Sequence, residues 1–209
     1  FTEVKGKLGN ILLQESDIFF KNKFFPDTKL NYAENLLKKN NTDPAIIFKS
    51  ENGYKEILSW EALNLNVEKV SLWMKSNGVK KGDRVAAYLP NTPEAVTAYI
   101  ATAAVGAIWS SCSPDFGVNG VIDRFSQISP KILFIGDKYF YNGKKINILE
   151  RLETIINKVG SISKVVVVPY PGTEKEKNKN IKIDIYNWKE LILSKINNKI
   201  SYVMSNFND

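Results

Sequence analysis

The sequence predicts an α/β fold: a mostly parallel sheet flanked by helices. Two observations carry that expectation. Short apolar segments alternate along the chain with segments of helical period, the pattern that crossover helices covering a parallel sheet require. The segment Val165 to Val168 is apolar at every position, as a strand covered on both faces must be. The chain is 209 residues long, enough to bury a core without disulfide or metal staples.

In chain order, residues 1–30 mix Phe19, Phe20, Phe24 and Phe25 with lysines and read as an irregular or helical arm packing on the main body. Asn31 suits the N-cap of a short amphipathic helix carrying Tyr32, Leu36 and Leu37. Strands are predicted at 45–48 and 55–58, joined as a hairpin across Asn52 and Gly53. Ser59 caps a helix over 59–77, with Leu63, Val67, Val70 and Met74 in helical period and Gly78 as its left-handed stop. A strand over 85–89 ends at Pro90. The helix after it, 93–105, carries Ala95, Ala98, Ala101, Ala103 and Ala104, small residues that permit deep burial against a sheet. Further elements are expected at 107–110 (strand), 118–128 (helix), 131–136 (strand), 146–158 (helix), 164–168 (strand) and 188–194 (short helix). Residues 173–182 read as a charged loop and 201–209 as a connector. No internal repeat is visible.

Composition excludes several classes of function. There is no histidine and one cysteine, Cys112, so no Cys/His zinc site, Ser-His triad or Cys-His pair is possible within the chain. A lone cysteine points to a reducing, cytoplasmic compartment. The net charge of +7 rests on lysines scattered along the chain, not on the clustered basic stripe that nucleic acid requires, so no nucleic-acid partner is expected. The most apolar candidate for a membrane span, 86–110, is broken by Pro90, Asn91, Pro93 and Glu94, so no membrane partner is expected either. The first residue is Phe1, and the start reads as a cut through a longer chain.

Motifs for chemistry are sparse. Neither G-x-x-x-x-G-K-[ST] nor G-x-G-x-x-G occurs. The turn 90–92 lies where a parallel sheet places its ligands, beyond the carboxyl end of a strand. Asn91 and Thr92 equally suit a plain turn and a helix cap. Within 139–145, Asn142 and Gly143 form a strong turn signal followed by Lys144 and Lys145, either a small anion site or an exposed turn with solvated lysines.

Several blocks in order resemble a known superfamily: Leu30 to Leu37, Gly78 to Asn91, Pro93-Glu94-Ala95, Gly106 to Ser110 and Ser113 to Gly117. Together they are similar to the acetyl-CoA and acetoacetyl-CoA synthetases among the adenylate-forming enzymes. The stretches 111–117, Asp123-Arg124-Phe125 and 127–131 resemble the acetoacetyl-CoA branch. The resemblance implies an amino-terminal arm over 1–40 and an incomplete AMP-binding α/β domain over 41–209, part of a large amino-terminal domain and truncated before the phosphate loop. It implies an ATP-dependent ligase joining acetoacetate to CoA through an acyl-adenylate, with Mg²⁺ assisting the first step, in lipid or ketone-body metabolism. Acetate, propionate and a non-enzymatic CoA-binding or nucleotide-binding module are the alternatives. No catalytic residue falls within 1–209, the chain alone is expected to be inactive, and its missing partner is the remainder of the same enzyme. By position, Tyr141, Asn142, Gly143 and Lys144 stand where acetyl-CoA synthetases carry an Arg-x-Gly-Arg turn that contacts CoA. Lys144 keeps a charge there without the arginine fork, and Tyr141 does not. Phe116 and Gly117 match the region of the CoA adenine, with packing of their own loop as the alternative role.

Overall fold

The computed structural model describes residues 3–173, 183–195 and 199–208. The arm contains four two-residue strands, β1 (Gly6–Lys7), β2 (Leu13–Gln14), β3 (Lys23–Phe24) and β4 (Lys29–Leu30), and leads into helix α1 (Tyr32–Leu36). A hairpin of β5 (Pro44–Lys49) and β6 (Lys55–Ser59) precedes α2 (Trp60–Ser76). There follow β7 (Arg84–Tyr88), α3 (Pro93–Ala104), β8 (Ile108–Cys112), α4 (Val118–Ile128) and β9 (Ile132–Gly136). A second hairpin, β10 (Lys138–Tyr141) with β11 (Lys144–Asn147), leads through a 3₁₀ turn to α5 (Leu152–Lys158). The remaining elements are β12 (Lys164–Val168), β13 (Asp184–Asn187), α6 (Trp188–Leu193) and β14 (Ser205–Asn206).

The expected parallel sheet is present. Five strands run parallel in the order β13-β12-β9-β7-β8. Alternation along each strand sends side chains to two separate cores, as the pleat dictates. Val85, Ala87, Ile132, Phe134, Val166 and Val168 join α2, α3 and α6 on one face. Ala86, Tyr88, Leu133, Ile135, Val165 and Val167 join α4 and α5 on the other. Phe134 is fully buried and meets Trp73, Trp109 and Trp188 at ring separations of 6.2–6.4 Å.

Local signals explain the helices. The Ser59 hydroxyl accepts from the Ala62 N–H at 3.2 Å, Leu63, Val67, Val70 and Met74 are buried, and Gly78 takes φ +78°. In α3, Ala98, Ala101 and Ala104 are completely buried, whereas Ala95 and Ala103 are only partly so. The small alanine stripe lets α3 lie close under α2, where the Ser71 hydroxyl donates to the Ala101 carbonyl.

Several expectations need correction. Phe19 and Phe20 of the arm do not pack on the body: they are 89% and 83% exposed, because short backbone pairings hold the arm and leave these rings outward, whereas Phe25 meets Phe207 edge to face at 5.0 Å. The helix expected over 146–158 starts at Leu152, because the turn at Asn142 and Gly143 puts Tyr141 opposite Lys144 and commits 144–147 to a strand. The sequence reading passed over β13, whose Asp184 and Asn187 interrupt the apolar run of a buried strand. Of the loop expected at 173–182, residues 174–182 lie outside the described residues. The stretch expected as a connector over 201–209 carries β14, which pairs with β4. Among the described residues no helix is long and apolar enough to cross a membrane.

Candidate functional site

In the sheet, β7 comes first in sequence, β8 lies on one side of it and β9 on the other. This is the doubly wound order in which successive connections leave from opposite faces, opening a crevice beyond the carboxyl ends of β7 and β9 where such folds bind ligands. A cavity of about 280 Å³ lies at this edge, lined by 89–91 after β7, 111–115 at the end of β8 and in the loop beyond it, and 139–141 of β10.

The loop 113–117 forms one wall. Its carbonyls are held from beneath by two side chains. The Tyr88 hydroxyl, on a fully buried ring, donates to the Phe116 carbonyl at 2.6 Å and lies 3.1 Å from the Pro114 carbonyl. Arg151 Nη1 donates to that hydroxyl and stands 3.1 Å from both carbonyls. Above the loop, the Arg124 guanidinium covers the Phe116 ring at 4.6 Å from its centroid, a cation–π contact. Phe116 and Arg124 face a neighbouring open groove of about 580 Å³ that includes Ser110 and Gln127.

The opposite wall is the hairpin. Asn142 and Gly143 take φ +50° and +70°, the left-handed pair of a two-residue turn, which Asn-Gly adopts with least strain. Tyr141 lines the cavity and is 62% exposed, while Asn142, Gly143 and Lys144 form the exposed tip. Thus Tyr141 shares a cavity with Pro114 and Asp115, Phe116 opens to the adjoining groove, and Gly117 caps α4. Tyr88, Arg124 and Arg151 were not anticipated as parts of this edge. A signal existed: the chain has only three arginines, Arg84, Arg124 and Arg151, and each holds backbone carbonyls or a ring.

The titratable groups Tyr88, Cys112 and Tyr139 at this edge are all shifted toward their neutral forms. Burial pushes the Cys112 thiol above its ordinary range, against the opposing pull of Arg124, so it stays protonated and weakly nucleophilic. Burial and the Asp115 carboxylate raise Tyr139, which remains a neutral hydroxyl donor. Burial likewise raises Tyr88, with Arg151 opposing.

The strand order and its crevice define a doubly wound α/β domain. The model of the family described as "AMP-binding enzyme" matches residues 33–201, and the chain belongs to that family. It is 42% identical over 170 residues to the acetoacetyl-coenzyme A synthetase of Rhizobium meliloti (strain 1021), covering 81% of this chain and 26% of that protein. It is 48% identical over 149 residues to the acetoacetyl-CoA synthetase of Gallus gallus, covering 70% and 22% respectively. The solved acetoacetyl-CoA synthetase from Streptomyces lividans superposes with a TM-score of 0.85 at 31% identity, covering 98% of this chain and 31% of the other. The chain therefore spans about a quarter of the length of the curated relatives it matches.

Proposed function

We propose that the chain is part of an ATP-dependent ligase that joins acetoacetate to CoA, and that its own share is to contact the nucleotide end of CoA. The observation that carries this reading is the 42% identity over 81% of the chain to an acetoacetyl-CoA synthetase. In such a reaction a carboxylate oxygen attacks the α-phosphorus of ATP and pyrophosphate leaves. The CoA sulfur then attacks the acyl carbon, AMP leaves, and the thiol proton goes to solvent or a base. The first step exchanges a poor leaving group for AMP, which makes the second accessible.

The described residues fit the binding part. Tyr141 and Phe116 offer rings for a base, and Lys144 offers a point charge for a phosphate at the tip of a turn. Among the described residues no group of three or more Cys, Asp or Glu side chains is placed to hold a metal ion. On this reading adenylation belongs to the remainder of the ligase, the chain alone is inactive, and the enzyme works in the cytoplasm.

The test is acid-dependent ATP–pyrophosphate exchange and thioester formation by the full-length ligase, comparing acetoacetate with acetate, propionate and butyrate. The reading expects acetoacetate to be preferred in both assays. Preference for another acid would overturn the substrate assignment, and no exchange with any acid would overturn the ligase itself.

A further inference from the structure

We propose that Arg151, acting with the Tyr88 hydroxyl, is a positioning residue for CoA, a role that rests on the CoA reading of this edge. The two halves of the candidate contact come from different elements, the loop 113–117 after β8 and the hairpin β10-β11. Arg151 joins them. It stands in the 3₁₀ turn that follows β11, and the base of that hairpin is tied down where the Ile148 and Leu149 N–H groups both donate to the Asp137 carbonyl, at 2.9 and 3.1 Å. From there its Nη1 reaches the Tyr88 hydroxyl and the carbonyls of Pro114 and Phe116.

Besides Arg151, the Tyr139 hydroxyl of β10 donates to the Asp115 carboxylate, a bond to the side chain that leaves the Pro114 and Phe116 carbonyls to Arg151 and Tyr88. Within the loop, the Phe116 N–H returns to the Ser113 carbonyl at 3.1 Å and the Ser113 hydroxyl donates to Asp115 at 3.0 Å, bonds that shape a turn without fixing it to the sheet. Tyr88 is fully buried and its single proton goes to the Phe116 carbonyl, so the hydroxyl oxygen is left to accept from Arg151. The guanidinium also lies 5.9 Å from the Tyr88 ring centroid. Removing Arg151 frees the backbone that sets the height of the Phe116 ring and of Asp115. Neither Arg151 nor Tyr88 needs to touch CoA for this.

The experiment uses the full-length ligase and reads the KM for CoA in thioester formation, the rate of ATP–pyrophosphate exchange without CoA, and the thermal midpoint. Arg151→Met is expected to raise the KM for CoA about tenfold, the equivalent of one charge-assisted hydrogen bond, with exchange unmoved. Tyr88→Phe should move KM in the same direction by less, and Arg151→Lys should recover part of the loss. Phe116→Ala and Tyr141→Ala test the CoA reading itself. If they raise the KM for CoA while Arg151→Met and Tyr88→Phe do not, the positioning role is overturned and the CoA site stands. If neither ring variant moves it, the CoA reading falls and the proposal with it. A parallel drop in exchange, thioester formation and thermal midpoint makes Arg151 a folding residue only and overturns the role. Should Arg151→Met fail to fold, Tyr88→Phe decides by the same readouts.

Discussion

Asn31 closes several connections with one amide. Its Oδ1 accepts from the Glu34 N–H at 3.2 Å as the cap of α1, and its Nδ2 lies 2.9 Å from the Ala103 carbonyl and 2.8 Å from the Val203 carbonyl. Losing the cap costs about 1 kcal/mol, and taking this donor from the part-buried Val203 carbonyl adds about 1–3 kcal/mol, while the Ala103 carbonyl keeps the Gly106 N–H. Asn31→Ala should therefore lower stability by about 2–4 kcal/mol in urea unfolding. Asn31→Asp should be worse still, although aspartate caps helices as well as asparagine does, because it sets a carboxylate oxygen against two carbonyls. If the Asn31→Asp variant matched the native protein in stability, capping would be the whole role. The cap was legible in the sequence; the bond to Val203, 172 positions away, was not. The buried stripe of α1 was legible only at Leu37. Tyr32 and Leu36 are substantially exposed, and Ala33 and Leu37 face the core, since the small Ala33 lets the helix approach α3. Glu94 adds a pH dependence. Burial raises its pKa above the ordinary 4.5, the Glu56 carboxylate adds to this and Lys189 opposes it, while its Oε2 is buried without a hydrogen-bond partner. A carboxyl whose folded pKa is raised contributes stability that is fully present below the unfolded pKa and lost as pH rises through the folded one. Glu94→Gln should flatten the fall in stability above pH 4.5 and stabilise the protein at neutral pH, as read from thermal midpoints across pH. An unchanged pH profile would remove Glu94 from the titration.

At the scale of elements, the carboxyl-terminal stretch 199–208 is held by close approach rather than by regular pairing alone. The Val203 N–H donates to the Ala104 carbonyl at 3.0 Å, and β14 adds two residues to β4. Gly106 makes the approach possible. It takes φ +73°, and a Cβ there would come 2.7 Å from Val203 Cγ1. Gly106→Ala should destabilise by about 2 kcal/mol or more, through left-handed strain of about 1–2 kcal/mol and the clash together. Adding Val203→Ala should recover the clash but not the strain, so the two changes should couple favourably in a double-mutant cycle. Strict additivity would mean that 203 does not seat on 106. The candidate site shows the same division between local and distant information. Asn142 and Gly143 announced their turn through local torsional preference, yet the strands beside it were invisible, because Ile146 and Leu149 satisfy helical spacing equally well. The loop 113–117 was recognisable as a block, but its support by Tyr88 and Arg151 depends on where β7 and the hairpin meet in space.

For the whole molecule, alternating strands and helices made the parallel sheet legible, and the continuous apolar run of β12 marked a strand covered on both faces. The strand order was not legible, since it depends on which side of β7 each crossover returns to. The arm reverses the usual relation between hydrophobicity and burial. Its aromatic residues suggested packing on the body, but Phe19 and Phe20 stand outward, and Leu8 and Leu12 are also more than half exposed. Apolar surface on this scale drives association when nothing covers it. Because the two cores described above include neither ring, replacing them should not touch the sheet. The chain as given is therefore expected to self-associate with increasing concentration in sedimentation velocity, despite a net charge of +7 that favours solubility. The double variant Phe19→Ser, Phe20→Ser should shift it toward monomer with the thermal midpoint unchanged. A monomeric native chain would show that charge repulsion outweighs the exposed rings, and a lowered midpoint in the variant would show that those rings pack in solution after all.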